Sequence, residues 1–118
     1  MSIARIDLFN KILLDTVNFL MIKFPNDKDI SYSQYQIEFA SKNSPRYVFN
    51  EIMTYIPPYI DQINKKDENF FLQLSSTDKD LKGFKLHDKW VFLSEKEKDY
   101  MFVQFQKLVK LGSIIQNE

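Results

Sequence analysis

Apolar side chains recur every three or four residues over a long stretch near the start of the chain, from about Ile3 to Lys23. The repeating positions are Ile6, Phe9, Leu13, Val17, Leu20 and Phe24. This spacing predicts an α-helix, whose apolar face is widened by Leu8, Ile12, Phe19 and Ile22. Since the polar stripe is narrow, we expect this helix to lie at the centre of the fold. It should stop at Phe24, because the next residue is Pro25.

A second long periodic stretch lies near the other end of the chain. Ser94 and Glu97 have the S-x-x-E spacing of a capping box, which predicts a helix start. The predicted inner face consists of Met101, Phe102, Phe105, Leu108 and Val109. Gly112 stands where a helix C-cap is expected, and Ile114 and Ile115 are predicted to fold back onto the core.

Prolines and capping residues divide the middle of the chain into shorter helices. Asp29 or Ser31 is predicted to cap a helix that runs to about Ser41, and its inward residues would be Tyr32, Tyr35 and Phe39. Ser44 and Pro45 predict the start of a third helix, which would bury Val48, Phe49, Ile52, Met53 and Ile56. Pro57 and Pro58 should either turn the chain into a fourth helix that carries Tyr59, Ile60 and Ile63 or strongly kink one continuous helix.

A turn at Lys65 and Lys66 leads into a short helix that Asp67 would cap, with its apolar face formed by Phe70, Phe71 and Leu74. Residues 75–89 are charged and predicted to form a loop with one helical turn at most. The chain has 118 residues and only two glycines, fewer than the turns of a sheet protein usually need. We therefore predict one all-α domain over residues 1–118, a compact bundle of about five helices.

The residue inventory argues against an enzyme. There is no cysteine, and the single histidine is His87, which leaves no convincing nucleophile and base. Asp78, Asp80 and Gly83 resemble the opening of a calcium loop, but lysines stand at later ligand positions. No glycine-rich phosphate loop is present. We predict no catalytic, cofactor-binding or metal-binding residues; an enzyme that uses carboxylates alone would need a cleft with two inward acids.

The most specific run in the chain consists of Pro58, Tyr59, Ile63, Asp67, Glu68, Phe70 and Phe71. With Phe24-Pro25, Asn43-Ser44-Pro45 and the W-x-x-L-S-x-x-x-K stretch from Trp90, it resembles small helical proteins of nucleocytoplasmic large DNA viruses. The chain departs from that pattern at Pro57. The resemblance implies a helical viral protein in the virion or the host cytoplasm, and it brings no assigned activity.

Lys+Arg and Asp+Glu are both 16, so no basic excess indicates nucleic-acid binding. Our leading hypothesis is a non-enzymatic module that binds a viral or host protein, or a second copy of itself, and no membrane. The candidate contact residues are Tyr59, Trp90 and Phe92, although Trp90 could instead pin its loop to the core. The alternative is a nucleic-acid-binding accessory protein, which requires one shared face for Lys65, Lys66, Lys107 and Lys110.

Overall fold

A computed structural model describes residues 2–69 and 86–118, apart from the side chains of residues 86 and 87. Within these ranges the chain forms helices and no strand, which confirms the all-α prediction. The helices are α1 (Ile3–Lys23), α2 (Lys28–Asn43), α3 (Pro45–Tyr55), α4 (Ile60–Asn64), α5 (Leu86–Trp90) and α6 (Glu95–Gln116), with a 3₁₀ turn at Pro57–Tyr59. None of the described helices is long and apolar enough to span a membrane.

Helix α1 is central, as predicted, because it packs against α2, α3 and α6. Its bounds are those expected from the sequence, with Ser2 as N-cap and Phe24 as C-cap. The buried residues of its main apolar stripe are Ile6, Phe9, Leu13, Val17 and Leu20. Leu8 and Ile22 are exposed, so the predicted widening of this face is wrong at those two positions. The three neighbouring helices do not enclose α1 fully, and Leu8 and Ile22 lie on the part that faces solvent.

Helix α2 begins earlier than predicted and presents a different face to the core. Asp27, and not Asp29 or Ser31, is the N-cap, and its Oδ1 accepts a hydrogen bond of 3.0 Å from the backbone N–H of Ile30. The inward positions are Ile30, Ser33, Ile37 and Ala40.

The predicted inward residues of α2 are in fact at the surface. The exposed fractions are 62% for Tyr32, 63% for Tyr35 and 59% for Phe39, so that prediction is wrong. Each of these residues follows an inward residue by two positions, which places it about 200° further around the helix axis.

Helix α3 starts at Pro45 with Ser44 as N-cap, as predicted. Val48, Phe49, Met53 and Ile56 are buried, and Ile52 packs against them. The corner differs in detail, because the 3₁₀ turn delays the start of α4 to Ile60. The side-chain amide of Gln106 donates to the Ile63 carbonyl at 3.2 Å and thereby joins α4 to α6.

Helix α6 starts with the predicted capping box between Ser94 and Glu97, and all five predicted inner residues are buried. The C-cap prediction is wrong, because the helix continues through Gly112 to Gln116. Gly112 is instead buried against α3: a Cβ atom there would lie 2.5 Å from Met53 Sδ. Ile115 is buried as part of the helix, whereas Ile114 is 43% exposed.

Candidate functional site

The three residues predicted to contact a partner lie in three different environments. Trp90 is fully buried, Tyr59 is half-buried and packs against the core, and Phe92 is 68% exposed. The Trp90 ring meets Phe102 edge to face, with centroids 5.5 Å apart. Trp90 therefore pins α5 to the core, and of the three residues Phe92 offers the most surface to a partner.

A polar joint holds Trp90 in place. Its Nε1 donates to Glu68 Oε1 at 2.8 Å, and the Lys98 ammonium donates to the same oxygen at 2.8 Å. Lys98 also lies 5.9 Å from the Trp90 ring centroid. The hydrogen bond from Lys98, followed by that from Trp90, lowers the pKa of Glu68. These contacts connect the segment after α4 with α5 and α6.

A small depression of about 180 Å³ beside this joint is lined by three carboxylates, from Glu68, Glu95 and Asp99. Lys98 contacts Glu68 and Glu95, and Lys66 contacts Asp99. The lowered pKa of Glu68 is the opposite of what a general acid at neutral pH needs. Glu68 is therefore poorly suited to general acid catalysis.

The four lysines of the nucleic-acid alternative have different neighbours. Lys65 lies 2.9 Å from an Asp61 oxygen, and Lys66 pairs with Asp99. Lys107 donates to the Gln104 side chain at 3.3 Å, and Lys110 is exposed. Because carboxylates offset two of the four charges, this set attracts a phosphate backbone less than the sequence alone suggests.

The described residues include no group of three or more acidic or histidine side chains that could hold a metal. The calcium-like positions Asp78, Asp80 and Gly83, the apolar positions Phe70, Phe71 and Leu74, and the His87 side chain lie outside the described part of the chain. Asp67 does accept a hydrogen bond of 3.0 Å from the Asn69 backbone N–H, as a helix cap would.

Asp27 ties α5 to the start of α2. Its Oδ2 lies 3.0 Å from the Lys89 ammonium, which is itself buried. Burial raises the pKa of Asp27, but the hydrogen bonds from the Ile30 backbone and from Lys89 outweigh it and bring the pKa below its ordinary value. The segment around Asp27 is thus a capping structure.

Among the described residues, four exposed aromatic side chains lie together at a place that the sequence did not predict as a site. Tyr32, Tyr35 and Phe39 of α2, together with Tyr47 of α3, line an open groove of about 490 Å³. Tyr47 is 60% exposed, close to the values for the other three. The rings of Tyr35 and Phe39 stack with centroids 6.3 Å apart and an interplanar angle of 21°. We call this feature the aromatic groove.

The floor of the aromatic groove is apolar. It is formed by Leu13, Ile37, Ala40, Val48 and Ile52. Among the described residues that line the groove, Glu51 alone carries a charge, and Gln36 is uncharged. An apolar floor with exposed aromatic walls is the composition expected at the centre of a protein interface.

The sequence did contain a signal for this groove. In α2 the spacing of Ile30, Ser33, Ile37 and Ala40 is also helical, so two stripes compete for the core.

Comparisons with known proteins offer no further guide: no family model, no curated protein and no solved structure matches the chain.

Proposed function

We propose that this protein is a non-enzymatic helical module that binds another protein through the aromatic groove. The observation that carries the proposal is the group of four aromatic side chains in this groove, each about 60% exposed. At 150–250 Å² for a fully buried aromatic side chain, the four together present roughly 350–600 Å². A patch of this size lies within the roughly 300–600 Å² of the largest apolar patch on a typical monomer, and such a patch often has a function.

The groove would supply the central part of an interface, and the surface around the groove would supply the remainder. A standard interface buries roughly 800 Å² on each partner, so the groove covers about half of that area or more. Phe92 stays within the proposal as a second contact point, since Val91 beside it is also exposed. Tyr59 is a lesser contact because it is half-buried, and Trp90 supports the loop that carries Val91 and Phe92.

The biological setting that we propose is a virion or the cytoplasm of an infected host cell. This setting rests on the sequence resemblance alone, and the groove argument does not depend on it.

Site-specific photo-crosslinking in the cells that produce the protein tests the proposal. Benzoylphenylalanine at position 35 should capture a partner in the groove, and the Phe39→Ser change should remove that adduct. Position 114 on α6 is the matched control, because Ile114 is exposed and does not line the groove.

The mass of the adduct identifies the partner, and an adduct of twice the chain mass identifies a second copy. If position 35 yields no more adduct than position 114, the groove is not the docking surface and the proposal is wrong.

A further inference from the structure

The aromatic groove lies between two helices. Its two walls are α2, of 16 residues, and α3, of 11 residues. The two helices share Ser44 as their cap residue, so the chain joins the two walls directly. Ala40, which packs against the core, also lies in the floor of the groove.

The charges around the groove specify the partner further. Glu51 is exposed and brings a negative charge to the α3 wall. Arg46 is exposed on the same helix, but five residues from Glu51 it points about 140° away around the axis. The charges of Glu38 and Lys42 on α2 offset each other across 3.5 Å. Glu51 is therefore the charge that the described lining presents to a partner.

Aromatic walls strengthen the preference for a cation. The faces of Tyr and Phe rings attract ammonium and guanidinium groups through their quadrupoles. An acidic ligand, including a nucleic-acid phosphate, would meet the Glu51 carboxylate without a compensating lysine in the described lining. A strand is also disfavoured, because the groove walls are helices and offer no sheet edge on which a strand could add.

We infer that the aromatic groove binds an amphipathic helix of a partner protein, whose apolar stripe is accompanied by a lysine or arginine that meets Glu51. This inference rests on the proposed function and adds the chemistry of the partner to it. The apolar stripe would lie on the floor between α2 and α3, with the basic side chain at the α3 wall.

Selection from a displayed peptide library tests this inference on the full chain. The library contains helix-favouring 16-residue peptides with apolar residues at i, i+3, i+4 and i+7 and random flanking positions, mixed with fully random peptides. Peptides that bind the native protein are retained. Those that also bind the Tyr35→Ser/Phe39→Ser double variant are then removed. Circular dichroism should show that this variant is folded, since both side chains are largely exposed.

We expect enriched peptides to have helical apolar spacing and at least one lysine or arginine at a fixed offset from the stripe. Glu51→Lys should weaken a selected basic peptide about two- to fivefold, the range of an exposed ion pair, and should strengthen its glutamate counterpart. Arg46→Glu is the matched control and should change neither affinity appreciably.

The outcomes separate the inference from the proposed function. Enrichment without a basic preference, or of peptides without helical spacing, overturns the inference and leaves protein docking at the groove intact. If nothing is enriched over the double variant, both the inference and the docking proposal are wrong.

Discussion

The contact between Gly112 and Met53 allows a quantitative test of the packing between α6 and α3. A methyl group at position 112 would lie 2.5 Å from Met53 Sδ, 2.8 Å from Met53 Cε and 3.5 Å from Phe9 Cε2. Alanine is the better helix former by roughly 1 kcal/mol, but overpacking a core costs about 1–3 kcal/mol. Met53 is flexible and can move partly aside. We expect Gly112→Ala to destabilise by about 0.5 kcal/mol.

Removing Met53 should reverse the sign of the Gly112 substitution. Met53 is 5% exposed, so Met53→Ala should cost about 3 kcal/mol, within the range for buried truncations. In that background the added methyl group meets no obstacle and fills part of the cavity. Gly112→Ala should then stabilise by about 1 kcal/mol. The two changes are thus coupled by about 1.5 kcal/mol, well above the deviation of independent sites.

Urea unfolding of the four proteins, followed by far-UV circular dichroism, measures this coupling. Leu20→Ala is the matched control, because Leu20 is also buried but lies eleven residues from Phe9, or roughly 16 Å along α1. Combined with Gly112→Ala it should be additive within about 0.5 kcal/mol. Additivity of the Met53 pair as well, or a full 1 kcal/mol gain from Gly112→Ala alone, would refute the reasoning.

Three further predictions concern α2 and the polar joints. Tyr35→Ser should change the unfolding free energy by less than about 0.5 kcal/mol, whereas Ile30→Ala should lower it by about 2–5 kcal/mol. If urea unfolding shows equal losses of stability for the two variants, the orientation of α2 is wrong. Glu68→Ala should lower the unfolding free energy by about 1–3 kcal/mol, because it removes the acceptor of the Trp90 indole. Glu68→Gln should lower it less. If neither the stability nor the fluorescence of Trp90 changes, this prediction is wrong. Glu68 and Asp27 have lowered pKa values in the fold. Their contribution to stability is therefore present above their ordinary pKa values of 4.5 and 3.8 and is lost as the pH falls through the lowered values. Urea unfolding at pH 7 and pH 2.5 should show this loss, and Asp27→Asn and Glu68→Gln should each reduce the difference between the two pH values.

The long helices could be predicted closely from the sequence because several independent signals agree in them. In α6 the capping box at Ser94 marks the start, and the apolar period then continues without competition from a second face. In α1 the period ends at Phe24 directly before Pro25, and the backbone can hardly continue as a helix there. Local sequence signals of this kind act within one or two turns, so they need no knowledge of the neighbours.

The predictions were wrong where contacts with other helices determine the structure. A glycine near a helix end is common at a C-cap, but it also fits a close helix crossing. For Gly112 the contact with Met53 indicates a close helix crossing and not a C-cap. Met53 lies far from Gly112 in the sequence, so local patterns could not show this contact. Likewise, large aromatic residues usually contribute most to a core, which favoured Tyr35 over Ala40 as an inward position. Periodicity alone could not rank the two stripes of α2, and the aromatic groove was therefore missed.

The shape of the core explains why the aromatic stripe of α2 stays outside. Ser33 and Ala40 are small residues on the inward side of the helix, where they permit close approach to the central bundle. A rotation of about 200° would place the rings there instead, and they would force α2 away from its neighbours while exposing Ile30 and Ile37. The fold thus requires the smaller stripe to face inward but gives no reason for large rings on the opposite side. A partner that covers the groove supplies that reason, and this is the physical basis of the docking proposal.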